Sequence, residues 1–124
     1  MHEKDTNLII MKAANDNLVP ITLAQAVAWQ ESKWNTQALS FDQGHGKGLF
    51  QIDDRFHPFA ETPDVWDAAK NANYGCALLH SLHQEYGNWP EAIMHYNGSG
   101  DESRLYAFHV WYYSQTQPWI PFLK

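Results

Sequence analysis

The segment Thr22–Trp34, TLAQAVAWQESKW, constrains this chain more than any other. Leu23, Ala26, Val27, Trp29, Gln30 and Trp34 wrap a helix that runs to about Lys33 and is apolar on most sides. A helix of that kind has no broad face for water and has to be central and buried. Thr22, followed three residues later by Gln25, fits a capping box at its start. A chain of 124 residues can supply the surroundings as one domain, 1–124, burying roughly two thirds of its unfolded surface. Aromatics reach 15% and charged residues only 18%, the opposite of a disordered tail.

The remaining segments read as mostly helical. Leu8, Ile9, Met11, Ala13 and Ala14 give Asp5–Ala14 an amphipathic pattern, closed by Asn15-Asp16-Asn17. Leu18-Val19-Pro20 is an extended connector. Residues 35–47 are polar and glycine-bearing, a loop of a length that often carries function. Ala38–Phe41 and Gly48–Ile52 flank Gly44-His45-Gly46 and suggest a small hairpin. Asp67 can cap a long helix with an inward stripe of Ala69, Ala72, Cys76, Leu79, Leu82 and Tyr86, ending at Gly87. Asn88-Trp89-Pro90 opens a shorter helix broken by Gly98-Ser99-Gly100. Asp101 caps a last helix to about Ser114, and Pro118 and Pro121 predict an extended tail.

Several functions are disfavoured by composition. Eight Lys and Arg against fourteen Asp and Glu leave a net charge of −6, unsuited to neutralising nucleic-acid phosphates. One cysteine, Cys76, excludes an internal disulfide and a cysteine-based zinc site, and reads as a small core residue. Apolar runs such as Leu8–Met11 are only about four residues long, far short of a membrane span. His80 and His83 share a helix face, but a pair without a third ligand reads as surface or structure, so neither metal nor cofactor is expected.

Three segments carry candidate chemistry. Glu31 sits near the end of the most apolar helix, between Trp29 and Trp34. Such surroundings disfavour its charged form and raise its pKa, which suits a general acid; a helix-end Glu facing water is the alternative. In Gly46-Lys47-Gly48-Leu49-Phe50-Gln51-Ile52-Asp53-Asp54, glycines allow close backbone approach and Asp53 falls at a strand end, with Asp42 upstream. The same stretch is equally a glycine-rich hairpin with solvated aspartates. In His95–Gly100, Tyr96 and Asn97 either face a cleft or serve as a core residue and a helix cap.

Taken together, Ala28–Asn35 resembles the Glu-Ser motif of soluble lytic transglycosylases and goose-type lysozymes. Gly48-Leu49-Phe50-Gln51-Ile52 is similar to their Gly-Leu-Met-Gln-Val/Ile segment. Tyr96-Asn97-Gly98 is similar to their Tyr-Asn-Ala-Gly segment, from which Gly98-Ser99-Gly100 departs. Order and spacing also fit, over roughly residues 7 to 114. The resemblance implies a mainly α, lysozyme-like (α+β) fold, a helical domain with a small β-hairpin beside an active-site cleft. It implies a peptidoglycan glycosidase that cuts the β-1,4 bond between N-acetylmuramic acid and N-acetylglucosamine, acting as a monomer without membrane insertion. By position Glu31 matches the catalytic acid, and Asp42 and Asp53 match two aspartates that hold water in goose-type enzymes. Ser32, Gly48, Leu49, Gln51, His57, Tyr96, Asn97 and Tyr106 match substrate-site positions. Trp34, Phe56 and Tyr106 are the candidates for stacking on sugar rings.

A second carboxylate near the water path favours inverting hydrolysis, with Asp53 assisted by Asp42. The alternative is a lytic transglycosylase, in which the muramoyl 6-hydroxyl attacks and Glu31 serves as acid and base. An alternative of another class is a binding module that keeps the cleft without catalysis. The substrate lies in the cell wall, yet Met1-His2-Glu3-Lys4-Asp5 lacks the pattern of a secretory signal. Phage-type release, a virion or secretion apparatus, or a missing leader would each reconcile the two. A net charge of −6 provides no steering toward an anionic wall. Wall-clearing activity should therefore fall little between low and physiological ionic strength, and a steep loss in a turbidity assay would contradict this reading.

Overall fold

In the computed structural model, which describes residues 2–41, 43–98 and 100–124, the architecture is mainly helical with one small hairpin. Its helices are α1 (Glu3–Asp16), α2 (Ile21–Ser32), α3 (Ala68–Tyr86), α4 (Trp89–Asn97) and α5 (Asp101–Thr116). Successive packing contacts close a ring in the order α1, α2, α5, α4, α3 and back to α1. Helix α2 is buried over more than a full turn, Ala24–Ala28, as its apolar circumference requires. The N-terminal helix starts at Glu3 and buries Thr6, Ile10, Ala13 and Ala14. Asn17 closes it, donating from Nδ2 to Ala13 O and to Asn73 Oδ1 of α3, both at 2.8 Å.

Several sequence expectations are corrected. The Thr22–Gln25 capping box does not form: Pro20 is the N-cap and no side chain caps the helix. Gln25 is buried and instead donates to Asn7 Oδ1 on α1 at 2.7 Å, a better use of an amide that has left water. Asp67 caps α3 through the Lys70 amide, and Gly87 ends it with φ 83°. The buried stripe of α3, however, is Ala68, Asn71, Ala72, Gly75, Cys76 and Leu79, while Ala69 and Tyr86 are exposed. Asn88 caps α4 by accepting from the Glu91 amide. Gly100, not Asp101, is the N-cap of α5. The tail is not extended: Ile120–Leu123 form a 3₁₀ turn and Trp119 is fully buried, its ring stacked 5.5 Å from Trp34. An extended tail would leave that indole in water, and burying it outweighs the preference of the flanking prolines.

The hairpin also differs in part. Strand β1 (Gly46–Lys47) pairs antiparallel with β2 (Ile52–Asp53), with Gly46 opposite Asp53 and Lys47 opposite Ile52. Leu39 adds an isolated bridge to Lys47. The turn between β1 and β2 is therefore Gly48–Gln51, while the expected pairing across Gly44-His45-Gly46 survives at that bridge, with Ser40 N donating to Gly46 O at 2.9 Å and Gly48 N to Ala38 O at 2.8 Å. Burial decides the register: Leu49 and Phe50 are both 0% exposed, which a two-stranded ribbon in water could not achieve. Gly48 (φ 78°) and Gln51 (φ 51°) turn the chain through left-handed conformations at either end. A Cβ at Gly48 would also collide with the Asn71 side chain and the Val65 carbonyl.

Three helices hold this turn by hydrogen bonds to its backbone. Ser32 Oγ of α2 donates to Leu49 O at 2.7 Å. From α3, Asn71 Oδ1 accepts from Phe50 N at 2.7 Å, while its Nδ2 donates to Lys47 O (3.0 Å) and Val65 O (2.9 Å). The Tyr96 hydroxyl of α4 donates to Phe50 O at 2.7 Å. Gly75 of α3 admits the Phe50 ring, since a Cβ there would lie 2.6 Å from it. Buried backbone polar groups must find partners, and here side chains supply them. Asn71→Ala would strand one amide and two carbonyls, so it should destabilise the protein by about 2–4 kcal/mol. Equilibrium urea unfolding measures this, and a loss below about 1 kcal/mol would contradict the role given to Asn71.

Candidate functional site

Because α2 stops at Ser32 against the buried turn, Glu31 is delivered to the floor of a cleft of about 340 Å³. One wall carries Tyr96 and Asn97 from the end of α4, with Leu78 of α3. The other carries Ser40, His45, Gly46, Gln51, Ile52 and Asp53 around the hairpin, continuing through Arg55, Phe56 and His57. The end of α2 is fixed by two successive left-handed residues, Lys33 (φ 51°) and Trp34 (φ 63°). Such backbone costs on the order of 1 kcal/mol per residue and needs anchors. Lys33 Nζ hydrogen-bonds to Tyr113 OH at 3.1 Å and lies over the Tyr113 ring. Trp34 is buried, and its Nε1 donates to Gln25 O at 3.1 Å.

Burial pushes the Glu31 carboxyl up to about 7, against the opposing pull of a hydrogen bond from Tyr106. That bond, from the Tyr106 hydroxyl to Glu31 Oε2, is 2.7 Å long. Burial and the nearby Glu31 charge hold the Tyr96 and Tyr106 phenols well above their ordinary range, so both remain donors. Asp53 is the opposite case. Arg55 donates to its Oδ1 from the backbone amide (2.8 Å) and Nε (3.1 Å), and to its Oδ2 from the terminal guanidinium nitrogen (2.7 Å). These bonds hold the Asp53 carboxyl below the usual carboxylate range. Asp54 is held down as well, by His45 Nδ1 at 2.7 Å and Lys47 Nζ at 3.1 Å.

The residues expected from the sequence divide into two groups. Glu31, Gln51, Asp53, His57, Tyr96 and Asn97 line the cleft. Gln51 also braces the turn, donating from Nε2 to Ala38 O and Gly48 O, both at 3.0 Å. His57 meets the Tyr74 hydroxyl at 3.0 Å through Nδ1. Ser32, Gly48, Leu49 and Tyr106 are not on the cleft wall: the first three build the turn and Tyr106 holds Glu31. Asp42 lies outside the described residues. Sequence reasoning does not single out His45, Asn71 or Arg55. For Asn71 a signal exists, a polar residue adjoining an apolar helix stripe. Arg55 could be found as a cation two residues after a strand-end aspartate.

His45, Asp53 and Asp54 can bring one ligand atom each within 4.8 Å of one another, the one such group among the described residues. Arg55 and Lys47 already occupy those carboxylates, so the group is built as an ion-pair network. His83 stacks on Trp89 with ring centroids 4.1 Å apart. No helix among the described residues is long and apolar enough to cross a membrane.

A helical fold with a small hairpin, a cleft between them and a carboxyl of raised pKa on its floor defines a lysozyme-like architecture. The family described as Transglycosylase SLT domain matches residues 8–105, and the chain belongs to that family. It is thus an enzyme of the lytic transglycosylase and lysozyme-like class, acting on peptidoglycan. Neither the curated proteins nor the solved structures give a match to the chain.

The raised Glu31 carboxyl carries a stability consequence. Between the unfolded value of 4.5 and about 7 the folded state binds more protons than the unfolded state. The stability from keeping Glu31 protonated is fully present below pH 4.5 and is lost as pH rises through about 7. Glu31→Gln cannot ionise and escapes that loss. At pH 8 it should be more stable than the native protein by roughly 1–3 kcal/mol, with the advantage vanishing below the unfolded value. Urea midpoints at both pH values test this, and a less stable variant at pH 8 would contradict the assigned burial.

Proposed function

We propose that this enzyme cleaves the β-1,4 bond between N-acetylmuramic acid and N-acetylglucosamine by lytic transglycosylation, with Glu31 as acid and then base. Protonated Glu31 gives its proton to the bridging oxygen as the bond to the muramoyl C1 breaks. The 6-hydroxyl of the same muramoyl residue then bonds to C1, and its proton returns to Glu31. The products are a 1,6-anhydromuramoyl end and a free 4-hydroxyl, and the enzyme is unchanged. Tyr106 supports both halves, because its hydrogen bond keeps the carboxyl oriented and restrains the rise in pKa caused by burial.

One observation carries the choice: of the two carboxyls on the described cleft wall, only Glu31 is pushed toward neutrality, whereas Asp53 is clamped by Arg55. A base that activates water needs an available lone pair and an appetite for a proton, and three bonds from one arginine reduce both. Hydrolysis, the scheme favoured on sequence grounds, keeps one supporting observation. The Asp53 side chain is 26% exposed on the cleft wall, within reach of a positioned water. In that second reading Asp53 positions the water, with Asp42 added from the resemblance alone.

Digestion of purified peptidoglycan in ¹⁸O-water separates the two. Transglycosylation gives muropeptides lighter by one water and free of label, while labelled reducing-end muramic acid would overturn it in favour of hydrolysis. Glu31→Gln should lower kcat by about 10²–10⁴-fold under either scheme. Activity of the native enzyme should decline as pH rises through about 7, where the acid loses its proton.

A further inference from the structure

Sugar clefts need more than hydrogen-bonding groups. A pyranose ring has an apolar C–H face, and an aromatic ring presented to it gains both dispersion and electrostatic attraction. Of the three aromatic candidates from the sequence, Trp34 is 5% exposed and stacked on Trp119, and Tyr106 is 6% exposed and bonded to Glu31. Tyr96 reaches the cleft, but its hydroxyl is engaged at Phe50 O. Phe56 differs. It lines the same cleft as Glu31, yet the residue is 72% exposed.

A solvent-facing phenylalanine beside a polar cleft gains little from folding. Its placement is nonetheless specified. The Arg55 guanidinium lies 5.4 Å from the Phe56 ring centroid, and the same guanidinium chelates Asp53 at the end of β2. The backbone is braced too: the amides of Phe56 and His57 both donate to Asp53 O, at 3.2 and 3.0 Å. His57, next in the chain, lines the cleft and has its Nδ1 at the Tyr74 hydroxyl. Phe56 is thus held beside the cleft by a hydrogen-bonded turn and by a cation–π contact with an ion-paired Arg55. His45, Gln51 and Asn97 line the same cleft and make it polar, as a glycan site requires.

We infer that Phe56 is a sugar-stacking platform, binding the apolar face of an N-acetylhexosamine ring at the hairpin side of the cleft. The inference rests on the glycan-cleaving reading of that cleft and adds to it a residue that sets glycan affinity. Phe56 acts on binding and takes no part in proton transfer.

The test uses Glu31→Gln protein, to prevent turnover, and the soluble hexamer of N-acetylglucosamine as probe, with affinity measured by calorimetry. Adding Phe56→Ala should weaken binding about tenfold, which corresponds to about 1.4 kcal/mol. Phe56→Tyr should restore it and Phe56→Leu should not, because Leu keeps apolar bulk but lacks a π-face. Thermal unfolding of the Phe56 variants should be unchanged, since the ring lies outside the core. Equal affinity of Phe56→Ala and its parent, or full rescue by Leu, overturns the platform while leaving the glycan reading intact. If the Glu31→Gln parent binds no hexamer, the glycan reading and the platform fall together.

Discussion

The burial of one turn, Gly48–Gln51, is the constraint from which the rest of this structure follows. Leu49 and Phe50 enter the core, and their backbone polar groups enter with them. Those groups cannot pair within so short a hairpin, so Ser32, Asn71 and Tyr96 reach from three helices to meet them. One requirement, that buried amides and carbonyls be satisfied, thereby links α2, α3 and α4. It also fixes the cleft. The residue before Ser32 is Glu31 and the residue after Tyr96 is Asn97, so the bonds that hold the turn set the floor and one wall of the site.

The state of the Glu31 carboxyl then comes from tension between desolvation and a single hydrogen bond. Burial pushes the Glu31 carboxyl toward its neutral form. Tyr106 opposes that drift from α5, so the balance rests near 7. The strained end of α2 belongs to the same arrangement. Left-handed Lys33 and Trp34 turn the chain away just beyond the acid, held by Tyr113 of α5 and by the Trp34–Trp119 stack. The buried C-terminal tryptophan, remote from the cleft in sequence, therefore supports the element that carries the acid.

Much of this was legible in the sequence. The apolar circumference of α2 required burial, and a glutamate set in it implied a raised pKa. Asp67, Gly87 and Asn88 marked helix ends through local side-chain and backbone chemistry, which reads directly from residue type. The errors share a cause, tertiary demand overriding local signal. Gln25 left its expected cap for Asn7, Leu49 and Phe50 made a second turn after the expected pairing by burying themselves, and Trp119 folded a proline-bearing tail. The motif residues carried a subtler ambiguity. Ser32, Gly48 and Leu49 occupy positions matched to a substrate site, but their polar groups serve the turn beneath it. A sequence pattern cannot distinguish a residue that touches a ligand from one that shapes its wall, because both leave the same residue at the same spacing.

The hairpin wall extends this reasoning from position to charge. Asp53 and Asp54 look in sequence like two available carboxylates, but each faces a cation supplied from within two positions or across the strand pair: Arg55 for one, Lys47 for the other. Pairing lowers both carboxyls while burial raises Glu31, so the site separates its acids by environment rather than by residue type. Protonating the leaving oxygen is a demand common to both chemistries of this enzyme class, and in the proposed scheme it falls to Glu31, whose carboxyl burial raises. What distinguishes the two chemistries is the incoming nucleophile, the muramoyl 6-hydroxyl or water, and with it the group that takes its proton. On that question Arg55 matters more than the mere presence of Asp53, because an aspartate is only as basic as its partners allow.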